Sequence, residues 1–367
     1  MTLIITGADV ERLLPMGECI DSMVGAFKDF AEGSAKSPPR LRYLAPHPEP
    51  EKRYWANVHI GAVPSAGIAC VRAGSQIKVM LGEGETTNSR NENPRPFNWG
   101  LVILFDLATA EPLALMHEFE LSGLRVGATT GAAVDHAARA DASVLGIFGT
   151  GKQAHTALEA VAAIRPIERV TVFSPSAEHR EAFARDFARR NYEVVAVDDP
   201  RQVVAGADVI CCATNSAQPV FDGDWLEDGQ MVATIANSDP NHTRFEVDRR
   251  TVERAGAIII NDWESVTKNK QVELLGPIDD GAVDRERIIE LGDLFAGTRT
   301  LADAAAHGPE GGIVYYKNNS GLAIQFAAAG GVIYRKALAE GKCFEIPTDM
   351  LGSDLSAWLE AGFHPSP

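Results

Sequence analysis

Short apolar runs alternating with helical segments over about residues 143–260 constrain this chain more than any other feature. They are SVLGIFG (143–149), RVTVFS (169–174), YEVVAV (192–197), DVICCAT (208–214) and MVATIA (231–236), with a sixth at AIIIN (257–261). Parallel strands need crossover connections, usually helices, so this alternation predicts a parallel α/β sheet. The segment KQAHTALEAVAAIRP between the first two runs is apolar at helical spacing until Pro166 stops it. The first strand leads directly into Gly149-Thr150-Gly151, with Ala154 at the third small position. In that context the glycines let the backbone turn tightly and approach a pyrophosphate, and the helix N-terminus offers free N–H groups and a positive dipole end. A tight turn without ligand uses the same residues, but the strands that follow favour a Rossmann dinucleotide-binding domain.

At the end of the second strand an NAD site normally carries an acidic residue for the adenosine ribose. Here the tip reads Ser174-Pro175-Ser176-Ala177-Glu178-His179-Arg180, with no carboxylate at the strand end. Ser174, Ser176 and Arg180, with His179, are suited to a ribose 2'-phosphate, so the sequence favours NADP over NAD. Arg180 is otherwise a solvated helix residue. Thr214 and Asn215 end the fourth strand at the carboxyl edge where ligands gather, although a polar turn would also account for Thr214. Lys152, Gln153 and Asn237 join the candidate cofactor residues, as do Lys317 and Asn318 of GIVYYKNNSG (312–321), a polar tract at a helix entrance. There they bond the nicotinamide amide or a substrate, or Asn319 or Ser320 acts as an N-cap.

At 367 residues the chain suits two domains. The first 120 or so residues place alternating runs such as GIACVRA and WGLVILFDL between Pro-, Gly- and Asn-rich loops, which predicts a mixed or antiparallel sheet. The small-residue-rich helix SGLAIQFAAAGGVIYRKAL (320–338) is expected to return and pack on it. The expected fold is α/β: a Rossmann domain over 131–319, with an α+β substrate-binding and dimerisation domain from 1–130 and 320–367. The profile of 45% hydrophobic and 23% charged residues is that of a soluble globular protein. With 50 acidic against 34 basic residues, the formal charge of −16 repels polyanions and argues against nucleic-acid partners. The five cysteines lack metal-ligand spacing and read as buried thiols, so no metal is expected. No basic-apolar leader and no membrane-length apolar run is present, so the reading is cytoplasmic without membrane association.

Taken together, the pieces resemble the ornithine cyclodeaminase and mu-crystallin family, which also includes archaeal alanine dehydrogenase and cyclic-imine reductases. The resemblance rests on Pro39-Arg40, FDLATAEPLALM (105–116), LSGLRVGATTGAAV (121–134), GTGKQA (149–154), ADVICCAT (207–214), NSD (237–239) and SGLAIQFAAA (320–329). It implies a homodimer in which the first domain and the last helix bind substrate and dimerise, with the Rossmann domain inserted between them. It also implies that Arg40 and Arg125 bind the substrate carboxylate and that Asp239 is the catalytic acid. Residue chemistry agrees in part: a guanidinium grips a carboxylate through two parallel hydrogen bonds, and Arg125 lies in an apolar, small-residue stretch where an unpaired charge is costly. A partly desolvated Asp239 after MVATIA has a raised pKa and exchanges a proton with a substrate nitrogen, or it merely starts a turn before Pro240.

The sequence departs from the family at three places. Where the family has a lysine, GIACVRA presents Arg72, which stays protonated and binds anions rather than acting as a base. Lys78 either replaces that lysine or is a surface residue. His59, in NVHIGAV, either relays protons or is a hydrogen-bonded core histidine. The insertion 81–99 is a lid, a partner contact or a disordered excursion. Phe326 stands where many relatives have an acidic residue, which argues against strict ornithine cyclisation. The expected function is an NAD(P)-dependent oxidoreductase on a small amino or imino acid, by imine reduction or oxidative deamination, with Arg40, Arg72 and Arg125 on the carboxylate. A redox-neutral cyclodeaminase with tightly bound NAD, and a non-catalytic NADP-dependent small-ligand binder, are the alternatives.

Overall fold

Among the described residues sixteen strands, β1 (Thr2–Ile5), β2 (Leu41–Pro46), β3 (Lys52–Val63), β4 (Ile68–Leu81), β5 (Asn88–Asn91), β6 (Trp99–Asp106), β7 (Pro112–His117), β8 (Val144–Phe148), β9 (Arg169–Phe173), β10 (Val194–Ala196), β11 (Val209–Cys212), β12 (Met231–Thr234), β13 (Ala255–Ile260), β14 (Ile288–Glu290), β15 (Ile313–Lys317) and β16 (Phe344–Ile346), form two sheets. This is a computed structural model that describes residues 1–81, 88–95, 97–238, 243–319, 321–356 and 360. The first sheet runs β16-β1-β7-β6-β4-β3-β2, with β5 on β4, and is mixed: β1 and β7 are parallel and the other neighbours antiparallel. The second is parallel throughout in the order β10-β9-β8-β11-β12-β15-β13-β14.

The six strands read from the sequence in the second half are all present as β8 to β13. β14 and β15 were not expected. β15 inserts between β12 and β13, and its run IVYYK is almost wholly buried, so it shows no alternation to announce a strand. The tract 312–321 is therefore mainly a strand; the closing helix Ala323–Glu340 starts later, and its N-cap is Leu322 rather than Asn319. Of the insertion at 81–99, residues 88–91 extend the first sheet by pairing β5 with β4, while 82–87 and 96 lie outside the described residues.

The inner face of the first sheet is covered by the closing helix and by Met16–Ala31, with Leu3, Met23, Phe27, Leu104, Phe326 and Ile333 in one buried core. A third helix, Glu118–Ala137, bridges the two sheets by packing on both Met16–Ala31 and Lys152–Ile164. Gly123, Gly127 and Gly131 recur every four residues along one of its faces. At Gly127 the helices touch backbone to backbone: a Cβ there would lie 2.5 Å from the Thr156 carbonyl oxygen. That contact fixes the glycine-rich turn at the start of Lys152–Ile164 relative to Arg125, which stands on the same bridging helix. No helix among the described residues is long and apolar enough to cross a membrane.

Candidate active site

The carboxyl ends of β8, β9 and β11 open onto a groove of about 1040 Å³, lined by Gly149, Thr150, Gly151, Ser174, Thr214 and Asn215 among others. Gly149 has φ +101°, which disfavours a side chain, and a Cβ there would run into the Ala213 carbonyl oxygen. Gly151 caps the helix Lys152–Ile164 with no side-chain bond, and a Cβ there would meet open space, so free N–H groups face the groove. Ala154 is fully buried, in keeping with close packing of this helix on the sheet. A cradle of this shape, backed by a helix N-terminus, fits the pyrophosphate of a dinucleotide.

At the β9 tip, Ser174, Pro175 and His179 line the groove. Ser176 instead caps the helix Ala177–Ala188 by accepting from the His179 N–H, and Arg180 donates to the Ser174 carbonyl at 3.2 Å. Gln153 lines the groove as expected. Lys152 also reaches it, but its ammonium donates to the Phe119 carbonyl and lies 3.3 Å from the Phe119 ring centre. Burial pulls its pKa down to about 8, against the raising effect of Glu120 and Glu118.

A second cavity, about 310 Å³, adjoins the first and shares Gln153, Thr214 and Ile235 with it. Arg40, Arg42, Lys78, Arg125, Asn237 and Asn318 also line it. Arg125 is only 9% exposed; it donates to the Gln325 side-chain oxygen at 3.0 Å and more weakly to the Ser122 hydroxyl at 3.5 Å. Burial, with Arg72 nearby, draws its pKa down to about 10, which leaves it cationic at neutral pH. Gly321 leaves room for the guanidinium, since a Cβ there would fall 2.7 Å from it. Asn237 donates to the Ile235 and Asn318 carbonyls, joining two strand ends beneath the cavity.

Four sequence expectations need correction or relocation. Arg72 does not line the cavity; it is buried in an ion pair with Glu118 at 2.7 Å, so its charge is matched inside the protein. His59 is buried, but its ring nitrogens meet no hydrogen-bond partner among the described residues, and its ring lies edge-on to Phe326. It is thus a buried histidine that does not line the cavity. Lys317 ends β15 fully buried, paired with Glu273 at 2.6 Å and donating to the Ala236 carbonyl, and does not line the groove or the cavity. Asn319 bonds the Asn261 N–H and the Asp262 carbonyl and joins β13 to β15. Lys78, by contrast, does line the cavity, with its ammonium 4.5 Å from the Trp55 ring centre. Asp239 and Ser320 lie outside the described residues.

Three buried polar residues that organise the site were not singled out from the sequence. Glu246 accepts from the Thr214 N–H and hydroxyl at 2.6 and 2.7 Å and from the N–H groups of Ile235 and Ala236 at 2.9 and 2.8 Å. It thereby clamps the ends of β11 and β12 where groove and cavity meet; burial lifts its pKa, against those bonds and Lys317. Gln325 accepts from Arg125 and from the Leu322 N–H and donates to Thr129, which fixes the guanidinium. Glu118 neutralises Arg72. Gln325 had a legible signal, a lone amide in an apolar helix; Glu246 sits in an unpatterned loop and had none. No group of three or more His, Cys, Asp or Glu is placed to hold a metal among the described residues.

Fold and site together define a dinucleotide-binding protein whose groove ends on a cationic cavity. Residues 1–341 match the Ornithine cyclodeaminase/mu-crystallin family, and the chain belongs to that family. It is 28% identical over 345 residues to the alanine dehydrogenase of Archaeoglobus fulgidus, covering 92% of this chain and 96% of the relative. It is 27% identical over 343 residues to a Delta(1)-pyrroline-2-carboxylate reductase of Bacillus cereus, covering 92% and 98%. The Thermococcus litoralis Delta(1)-pyrroline-2-carboxylate reductase, solved with NADH and L-proline, superposes with a TM-score of 0.78 at 25% identity, covering 94% of this chain and all of that one (100%).

Proposed function

We propose that the protein is an NAD(P)-dependent oxidoreductase acting on a small amino or imino acid. The observation that carries this reading is the junction at Gln153, Thr214 and Ile235, where a groove suited to a dinucleotide meets a cavity suited to an anion. When bound, the dinucleotide supplies or accepts hydride; the protein supplies position and charge. In the reductive direction the carbon of a C=N bond gains the hydride and its nitrogen a proton, giving an amine, and oxidation reverses both transfers.

Arg125, fixed by Gln325, holds the substrate carboxylate together with Arg40, which lines the same cavity. Thr214, held by Glu246, and Asn237, spanning two strand ends, give the reacting carbon a rigid seat. Asp239 is the residue we assign to proton transfer; the residue before it, Ser238, accepts from the Arg244 N–H and donates its hydroxyl to the Arg244 carbonyl. Arg72 acts at one remove, as half of a buried ion pair, and as an arginine it cannot serve as a general base. That weighs against cyclodeamination through a lysine at this position.

The β9 tip itself presents Ser174 and His179 to the groove, and the acidic lining residue Asp186 stands two turns further along the next helix, which supports NADP over NAD. The units we assign are 131–319 for the nucleotide and 1–130 with 320–367 for substrate and self-association. The outer face of the first sheet carries exposed Leu41, Tyr43, Ile60, Trp99 and Leu101, which supports a homodimer through that face. Its free cysteines suit a reducing compartment, and we place the protein in the cytoplasm. Fluorescence titration with NADPH and NADH tests the cofactor assignment: tighter binding of NADPH is expected, preference for NADH overturns the NADP assignment, and binding of neither overturns the oxidoreductase reading.

A further inference from the structure

An amino or imino acid brings two unlike groups to its site: a carboxylate, which accepts hydrogen bonds, and a nitrogen, which when protonated donates them. Arg125 offers the cavity donors and no acceptor. An acceptor stands at the strand ends. Asn237, just beyond β12, lines the cavity and not the groove. Its side-chain nitrogen donates to the Ile235 carbonyl at 3.0 Å and to the Asn318 carbonyl at 2.8 Å, so both of its amide hydrogens are committed. The flipped amide would set Oδ1 against two carbonyl oxygens, so these bonds decide which atom points which way. Oδ1 is left as a buried acceptor that meets no donor among the described residues. Such atoms are rare in folded proteins, and each costs stability that a bound donor recovers.

The bonds that fix Asn237 also place it between the two halves of the proposed reaction. Ile235, whose carbonyl it holds, is on the wall common to groove and cavity. Asn318, its other anchor, is buried and donates weakly, at 3.4 Å, to the carbonyl of Val126, the residue after Arg125. The side-chain oxygen of Asn318 is already taken by the Asn261 amide at 2.8 Å. Thr214, on the common wall, gives its hydroxyl hydrogen to Glu246 at 2.7 Å, so its oxygen too can only accept, and it does so from the Ser216 N–H at 3.2 Å. The strand ends therefore offer acceptors and the bridging helix a donor. An amino acid held by Arg125 through its carboxylate turns its nitrogen towards the strand ends, beside the junction with the groove.

From this arrangement we infer that Asn237 recognises the substrate nitrogen: its Oδ1 accepts an N–H of the protonated imine or amine and selects against ligands of the same shape that have no N–H. The inference rests on the amino- or imino-acid reading above and deepens it. A cationic N–H gives the stronger bond to an amide oxygen, so the imine is bound as its iminium. Hydride from the nucleotide then adds to the carbon of the C=N bond, the π pair moves to nitrogen, and the N–H that Asn237 accepts remains on the amine product.

The test is calorimetric binding, with the preferred reduced nucleotide present so that no turnover occurs, of L-proline against (S)-tetrahydro-2-furoate and of L-alanine against propionate. In each pair the carboxylate is kept and the N–H is lost. The wild type is expected to bind the amino acid of at least one pair about tenfold or more tightly than its partner. Asn237→Ala is expected to cut that preference by about tenfold while leaving the affinity for the ligand without N–H within about twofold. Nucleotide affinity and thermal midpoint report whether the variant is folded. Equal binding within both pairs by the wild type overturns the inference whatever the variant does. Equal weakening of both members of a pair in Asn237→Ala also overturns it, because Asn237 is then only a tie between strands. So does a tenfold loss of nucleotide affinity with the preference intact, which would assign the oxygen to the carboxamide of the nicotinamide. All three results leave the broader reading standing. If no amino acid binds although the nucleotide does, the amino-acid reading fails and the inference with it.

Discussion

Arg72 and Arg125 both reach the ring of Phe326, at 5.8 and 4.9 Å from its centre, yet they have opposite fates. Arg72 is closed off by Glu118, whereas Arg125 keeps neutral partners and faces the cavity. At Phe326 the two cations meet an aromatic face rather than a carboxylate. His59 shares that environment and is 3% exposed. Burial first, then Arg72, Arg40, Arg125 and Arg42, hold its pKa well below 6.5. It therefore stays neutral in the folded protein, while the unfolded chain takes up a proton as pH falls below 6.5. Stability from this residue is fully present above that value and is lost on acidification, with a limiting slope of about 1.4 kcal/mol per pH unit. Urea unfolding at about pH 7.5 and about pH 5.5 should show a larger loss for the wild type than for His59→Gln. Equal losses would mean that His59 is already protonated in the fold.

The bridging helix Glu118–Ala137 couples the two sheets through its glycine stripe. Gly127→Leu would force a side chain against the Thr156 backbone, with which even a Cβ collides. We expect a stability loss of about 2–3 kcal/mol in denaturant titration, a typical cost of overpacking. A loss below about 0.5 kcal/mol would show that the helices can separate freely there.

The same scale explains what was legible in the sequence. β8 to β13 announced themselves because each is an apolar run between turn residues, and Gly149 and Gly151 because their position after a strand gives them one physical task. β15 was hidden because burial on both faces removes alternation, and its place between β12 and β13 is set by a long-range pairing that no local pattern encodes. Lys317 looked like a ligand-binding lysine for the same reason: with β15 unrecognised, nothing in the sequence indicated Glu273 as its partner. The cavity arginines Arg40 and Arg125 were legible through the family resemblance. Glu246, 32 residues from the Thr214 it holds, could not be read from local sequence.

For the whole molecule, the first sheet has one face under helices and one that no helix among the described residues covers. In the cross-strand register, Ile60 pairs with Val71 and Val71 with Ile103, while Val58 pairs with Ala73 and Ala73 with Leu101. These residues share one face of the sheet. Ile60 and Leu101 are both exposed. If that face makes the homodimer, the wild type sediments as a dimer and Ile60→Asp combined with Leu101→Asp sediments as a folded monomer. A monomeric wild type, or a double variant that stays dimeric, contradicts the assignment.

The central claim is that hydride passes between a nucleotide in the groove and an imino or amino acid in the adjoining cavity. Its most direct test is the oxidation of NADPH and NADH, followed by absorbance, with purified protein and a panel of cyclic imino acids and 2-oxo acids supplied with ammonia. The account predicts nucleotide oxidation with at least one imino acid, and a fall of about a hundredfold or more in kcat/KM for Arg125→Met, which removes a charged bidentate contact to the carboxylate. Tight nucleotide binding with no oxidation by any member of the panel, and no reduction of NADP or NAD by the corresponding amino acids, would contradict it.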